Sequence, residues 1–256
     1  MSRHVLGLFL LLAVLWPPAH AAPAAPAASS FIAITFTEGA PRLARDKAIY
    51  RAGRGVGLRA DDMLESGAGA LQLAAGGATI SLGPESTVFL REGGELVLLG
   101  GWLKLRASAK QPFTVAAPSL RVTAAGGSVI VQVSPGATEL FAESGDVLVE
   151  EQGAGKIRRR TTIPREQFAV RAGALPLRLA ARPPPAFLAA MPPSFRDETV
   201  ALAAGAPAAP KFERAASFAE LAPWLAAQPA LRRQLQARFD PPRPPRRALP
   251  DPKASP

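Results

Sequence analysis

Short apolar runs, separated by glycine, proline or charged residues, dominate the chain between residues 47 and 150. Several runs alternate apolar and polar residues with a period of two, which turns one side of each run inward and the other outward. Turn signals recur about every 8–12 residues, as in all-β sandwiches and barrels. The pattern predicts a mainly β fold, a sandwich or jelly roll, with a coiling β-helix-like arrangement as the alternative.

The glycine pairs mark the turns between these runs. Gly76-Gly77 separates two short apolar runs, 70–74 and 78–82. Because a Gly-Gly pair accepts the positive φ values of tight turns, this stretch predicts a β-hairpin.

The N-terminus predicts export. An apolar run follows Arg3 and ends at Pro17-Pro18, and a small-x-small site closes it at residues 19–21. The run is too short for a stable membrane anchor, so residues 1–21 are interpreted as a cleaved signal peptide, with an uncleaved anchor as the less favoured alternative. We therefore expect a periplasmic protein without a membrane span after cleavage. Residues 22–46 are interpreted as an Ala/Pro-rich tether and a first strand.

Glycine is concentrated in the first part of the chain and proline after residue 180, which predicts a domain boundary there. Residues 47–182 are assigned to the β domain, and residues 183–256 to a linker with short helices and a disordered basic end. Ser217 and Glu220 form a capping box before one short helix. A second helix is expected over 228–239, with proline in its first turn.

The residue types of the mature chain restrict its chemistry. The chain has no cysteine, and both histidines, His4 and His20, lie in the predicted signal peptide. Ser-His-Asp and Cys-His catalysis, and the usual zinc and copper ligand sets, are therefore excluded. We expect no enzyme activity, metal or other cofactor.

Positive charge is concentrated in two stretches, 156–182 and 232–253, in a chain of net charge +10. For an exported protein such a surface favours anionic lipid headgroups or acidic glycans, and nucleic acid is a poor candidate.

The order and spacing of several motifs within residues 47–150 resemble the FecR domain, the periplasmic part of bacterial iron-uptake regulators and of standalone exported proteins. The motifs that carry the resemblance are the bend Ala60-Asp61-Asp62-Met63-Leu64, the segment Leu82-Gly83-Pro84-Glu85-Ser86, the strand end Leu96-Val97-Leu98-Leu99-Gly100, the stretch Pro112-Phe113-Thr114-Val115-Ala116-Ala117-Pro118, and the looser matches Gly127-Ser128-Val129-Ile130-Val131 and Glu143-Ser144-Gly145-Asp146-Val147-Leu148-Val149. The family's hairpin Asp is replaced here by Gly76, and its Gly-Thr pair by Gly127-Ser128. The resemblance implies a FecR-type β domain without the sigma-regulator membrane helix.

Candidate contact residues fall into three groups, each with a packing or solvation alternative. Tyr50 and Trp102 could stack on a sugar or peptide, or pack in the sheets. Arg158, Arg159 and Arg160, together with Arg232 and Arg233, could bind anionic glycans or lipid, or form a solvated face. The tail residues Phe218, Trp224 and Leu225 could bind a partner, or dock the tail on the β unit.

The sequence therefore favours a non-enzymatic envelope module that binds a protein or glycan partner in the periplasm, in signalling or cell-wall organisation. The alternatives are a carboxylate-dependent carbohydrate- or peptidoglycan-active enzyme and an orphaned regulator of a sigma/anti-sigma system. The adjacent acids Asp61-Asp62 and Glu150-Glu151 are expected to be poor catalytic pairs, because neighbouring strand residues face opposite sides.

Overall fold

The computed structural model describes residues 32–153, 156–197 and 200–240. The predicted signal peptide, the tether 22–30 and the basic end 241–256 lie outside these residues. In chain order the described elements are β1 (Ile32–Thr37), β2 (Arg42–Arg45), β3 (Ala48–Arg51), β4 (Met63–Glu65), β5 (Leu71–Ala75), β6 (Ala78–Leu82), β7 (Thr87–Leu90), β8 (Leu96–Ala107), β9 (Phe113–Ala117), β10 (Leu120–Ala124), β11 (Gly127–Ser134), β12 (Ala137–Ser144), β13 (Val147–Gly153), β14 (Lys156–Ile163), β15 (Phe168–Ala172), β16 (Arg178–Ala180), α1 (Pro185–Ala190), a 3-10 turn (Pro193–Phe195), β17 (Lys211–Ala215), α2 (Phe218–Leu221), a second 3-10 turn (Ala222–Leu225) and α3 (Pro229–Phe239).

The strands form two sheets that share the long strand β8. Sheet A has the order β1-β5-β6-β8-β11-β12-β15-β16. Sheet B has the order β17-β3-β2-β4-β7-β8-β9-β10-β13-β14. The pairings are antiparallel except for the short parallel pairing of β8 with β9. The prediction of a mainly β fold is confirmed.

The main core lies between the two sheets. Alternate residues of sheet A, such as Leu71 and Leu73, meet alternate residues of sheet B, such as Val122 and Val149, and all four are fully buried. The period-two pattern thus places one face of each strand in a shared apolar layer, as in a β-sandwich.

Strand β8 passes from one sheet to the other. In its first half Leu96 and Leu98 face the core, whereas in its second half Leu103 and Leu105 do so. The residues that face the core are even-numbered before Gly100-Gly101 and odd-numbered after it, and Gly101 has φ +87. A β-carbon at Gly101 would lie 2.5 Å from the Ser86 hydroxyl oxygen, so this crossing needs glycine both for its backbone and for the close approach.

The Gly76-Gly77 hairpin is confirmed. It joins β5 to β6, with Ala75 paired to Ala78 and both glycines at positive φ.

The tail covers the outer faces of both sheets. Leu221, Leu225, Leu231 and Leu235 pack on an apolar patch of sheet B made by Ala44, Ile49, Met63, Phe89, Val97, Leu99 and Ala116. On sheet A, Phe187 and Phe195 pack on Trp102, Ile130 and Phe168. Each fully buried leucine or phenylalanine contributes about 1.5–3 kcal/mol of transfer free energy, so the tail is part of the folded structure.

The segments predicted as tether and linker contain strands that were not predicted. Residues 22–46 contain β2 in addition to a first strand, and the tail contributes β17, which pairs with β3. Strand β1, in the segment assigned as tether and first strand, pairs with β5. Strand pairing therefore runs across both assigned boundaries, near residues 46 and 183. A short β-strand on a sheet edge needs no alternation of apolar and polar residues, so the sequence pattern that predicts strands is absent from β17.

The predicted helical features of the tail are confirmed. The Ser217 hydroxyl accepts from the Glu220 amide at 3.3 Å, and α2 gives way to a 3-10 turn at Ala222, next to Pro223. Helix α3 has Pro229 in its first turn and buries Leu231 and Leu235.

Among the described residues, no helix combines the length and apolar character that crossing a bilayer requires.

Candidate functional site

Strand β14 is a long open edge of sheet B. Among the described residues it pairs with β13 alone, so the backbone N–H and C=O groups of its other side have no strand partner. Ile157, Arg158, Arg159 and Arg160 are all exposed along it. An edge of this length is a template for another extended chain, and its positive charge selects which chain can approach.

The three arginines have different surroundings. Arg160 lies opposite Glu150, and its Nε atom donates to the Glu150 carboxylate at 2.8 Å. Arg159 lies opposite the buried Glu151 but is itself exposed. The Arg158 side chain lies close to Gly153: a β-carbon added to Gly153 would lie 2.0 Å from the Nε atom of Arg158. No ion pair of Arg158 or Arg159 is seen among the described residues, so their charge faces solvent.

Arg160 ends a row of alternating charges on the outer face of sheet B. Arg91 bonds Glu95 at 2.6 Å, Arg121 lies 2.9 Å from Glu95 and 4.0 Å from Glu150, and Glu150 bonds Arg160. Because each carboxylate lies between two guanidinium groups, the row carries more positive than negative charge next to β14.

The edge strand of sheet A lies at the same end of the sandwich. The Leu177 amide, just before β16, donates to Glu151 of β13 at 3.1 Å, which joins the two sheet edges. Leu175, which precedes β16, and Leu179, on β16, are exposed, as is Ile157 on β14. We call this region, with Ile157, Arg158, Arg159, Leu175 and Leu179, the open end. It combines free strand edge, positive charge and apolar side chains.

The two acids of each adjacent pair have different partners, but only Glu150 and Glu151 lie on a strand, whereas Asp61 and Asp62 precede β4. Glu150 reaches Arg160 on the outer face, whereas Glu151 is buried and bonds Arg171 at 3.3 Å. Asp62 is bonded by Arg45 at 2.6 Å and 2.9 Å, whereas Asp61 pairs with Arg238 of α3. Hydrogen bonding to Asp62 raises the pKa of Arg45 above its ordinary value.

A groove of about 1000 Å³ lies on the outer face of sheet A. Its acidic residues are Glu143 and Asp197, and Glu143 is bonded by Lys104 at 2.9 Å and by the Ser128 hydroxyl at 2.6 Å. Lys104 also donates to the carbonyl oxygens of Phe195 and Asp197. These contacts give Glu143 a structural role, because the buried Lys104 needs a paired charge and Glu143 supplies it.

The two candidate aromatic residues of the β domain pack against the tail. Trp102 is 9% exposed and its ring lies 5.0 Å from that of Phe187. Tyr50 is half-buried and meets Phe212 of β17 edge-on, with 5.8 Å between ring centres. Phe212 is 66% exposed. Phe212 is not among the candidates predicted from the sequence, because the strand that carries it, β17, was not predicted.

The tail candidates lie at the interface with sheet B. Leu225 is 1% exposed, and Phe218 and Trp224 are half-buried beside it. The Arg42 guanidinium lies 5.4 Å from the centre of the Trp224 ring, a cation–π geometry. These are the contacts expected if the tail docks on the β unit. Arg232 and Arg233 are exposed on α3.

Comparison with known proteins gives a limited result. No family model matches the chain, and no curated protein matches it. Two crystal structures of a putative anti-sigma factor from Parabacteroides distasonis are similar to it, with TM-scores of 0.36 and 0.35 and 11% and 12% sequence identity. Each comparison covers 42% of this chain and 52% of the other, so the chain spans about half the length of the structures it matches. A likeness this weak assigns neither a family nor a role.

Proposed function

We propose that this protein is a non-enzymatic, FecR-like interaction module of the periplasm that binds an acidic, extended segment of a partner protein along β14. The observation that carries the proposal is the free edge of β14 with its exposed Arg158 and Arg159. Main-chain hydrogen bonds along the edge supply affinity, and the arginines select acidic side chains.

The apolar side chains of the open end support a peptide over a purely ionic ligand. Ile157, Leu175 and Leu179 offer contacts that an acidic glycan or a lipid headgroup does not use. A strand that alternates acidic and β-branched residues would match both features. Export by the predicted signal peptide would place the partner in the periplasm, where a role in envelope signalling is consistent with the FecR resemblance.

The test is the affinity for a fluorescent eight-residue peptide that alternates glutamate and valine, with a lysine–valine peptide as its charge-reversed counterpart. The protein carrying Arg158→Glu and Arg159→Glu should bind the acidic peptide at least about tenfold more weakly, a change of about 1.4 kcal/mol. The matched control carries Arg232→Glu and Arg233→Glu, which removes the same charge from exposed positions on α3.

Equal weakening in both double variants would indicate attraction to net charge and would contradict a site on β14. Binding of anionic vesicles or an acidic glycan in place of the peptide, lost in the β14 variant, would replace the peptide proposal by a headgroup or glycan site.

A further inference from the structure

A small pocket of about 270 Å³ lies between the two sheets at one end of the core. Sheet A contributes Thr138 and Arg171, which are register partners on β12 and β15. The turn between β9 and β10 of sheet B contributes Pro118 and Ser119, and the turn between β11 and β12 contributes Ser134 and Gly136. The pocket thus has one arginine among small and hydroxyl-bearing residues, and Thr138 and Arg171 face each other across the strand pair.

Arg171 is buried in this pocket with much of its hydrogen-bonding capacity unused. It is 7% exposed, and a guanidinium has five N–H donors. Its acceptors among the described residues are the Ser119 carbonyl oxygen at 3.2 Å and Glu151 Oε2 at 3.3 Å, both reached by Nη1. Its Nε atom is buried without an acceptor. A buried cationic donor without a partner is costly, which points to an absent acceptor.

The charges around Arg171 define the ligand. Glu151 Oε2 is already shared by Arg171 and the Leu177 amide, and Glu151 Oε1 is buried without a donor. This negative charge disfavours a dianion, whereas a monoanion that approaches from the Thr138 side meets the guanidinium and the Thr138 hydroxyl group. The pocket volume accommodates a carboxylate with a few attached carbon atoms.

We propose that this pocket is a carboxylate-binding site in which Arg171 is the cationic anchor and the hydroxyl group of Thr138 orients the ligand. The carboxylate belongs to a small organic acid or to the C-terminus of a peptide. Since Glu151 offsets part of the attraction, the affinity for acetate should be on the order of millimolar. The proposal does not rest on peptide binding at the β14 edge, although Glu151, which pairs with Arg171, lies opposite Arg159 of β14.

The experiment is an NMR titration of the full chain with acetate at constant ionic strength, with chloride as the reference anion. Saturable shifts of the Ser119, Thr138 and Gly173 amide signals and of the Arg171 Nε–H signal are expected. Glycylglycine and its C-terminal amide distinguish the two sources: binding of the free acid with no binding of the amide shows that a peptide terminus is accepted, and binding of acetate alone restricts the site to small acids.

Two variants test the assignment without leaving an unpaired charge in the core. Thr138→Val removes one hydroxyl group with little change of shape and should weaken acetate binding at least fivefold, whereas the exposed control Thr162→Val should leave it unchanged. The double variant Glu151→Gln with Arg171→Met removes both charges of the buried pair together and should abolish binding in a folded protein. Shifts that match those of chloride, or acetate binding that survives the double variant, would overturn the proposal.

Discussion

The Nζ atom of Lys104, on the outer face of sheet A, donates a 2.8 Å hydrogen bond to the carbonyl oxygen of Phe195 in the tail. The same ammonium group reaches the Asp197 carbonyl oxygen at 3.1 Å and the Glu143 carboxylate at 2.9 Å. Lys104 is 2% exposed, so the tail completes the coordination of a buried charge that the β strands alone leave open. The tail is therefore held on the sandwich by a buried polar contact as well as by apolar packing.

Lys104→Met should destabilise the protein by about 2–3 kcal/mol, because two carbonyl groups and Glu143 lose their donor. The free energy of unfolding in urea measures the loss, and hydrogen exchange of the Phe195 and Arg196 amides should quicken. Lys110→Met at an exposed position is the control. Equal stability of the two variants would mean that Lys104 does not hold the tail.

Leu225→Ala should cost about 2–5 kcal/mol, because it leaves a cavity between the tail and sheet B. The matched control is Leu202→Ala, in which the removed side chain is 42% exposed and the change should stay within about 0.5 kcal/mol. Denaturant unfolding of both variants gives the comparison. A loss below about 1 kcal/mol at Leu225 would show that the helices rest loosely on the sheet.

Gly101→Ala and Gly93→Ala separate backbone strain from steric overlap. Both glycines have positive φ, +87 and +84, but a β-carbon at Gly93 meets nothing within 4 Å. Gly93→Ala should cost about 1–2 kcal/mol from the left-handed backbone alone. Gly101→Ala should cost about 2 kcal/mol more, since the new methyl group overlaps Ser86. Similar melting temperatures for the two variants would contradict the close crossing of β8 past Ser86.

Acid should weaken the contact between β17 and α2. The hydrogen bond from Arg214 lowers the pKa of Glu220 below its ordinary value of 4.5. Because the pKa of Glu220 is lower in the folded protein than in the unfolded chain, the pair stabilises the fold at pH values above 4.5. This contribution is lost as the pH falls through the lowered pKa of the folded state. The carboxyl carbon shift of Glu220 should titrate below 4.5 in the wild type and nearer to that value in Arg214→Gln. Identical midpoints would show that the pair is not formed in solution.

The period-two pattern was sufficient to predict the sandwich, because each strand buries alternate side chains in a shared layer. The same logic failed for β17, whose residues are all exposed, and for β2, where Leu43 and Ala44 are both buried, one on each side of sheet B. A strand that is buried on both faces does not alternate, and an edge strand that is exposed on both faces needs no apolar residue.

The site was predictable only in part for a related reason. The charge of Arg158, Arg159 and Arg160 is visible in the sequence, but whether those residues form a loop or a free strand edge depends on pairing with β13. Arg171 drew no attention, since a single arginine within an apolar run becomes unusual only when two sheets close around it.

Hydrogen exchange along β14 tests the central claim most directly. With the acidic glutamate–valine peptide bound, the β14 amides that do not bond to β13 should exchange at least about tenfold more slowly, while those of α3 stay unchanged. Protection confined to the tail, the sheet A groove or α3, with β14 unaffected at saturating peptide, would contradict strand addition at this edge.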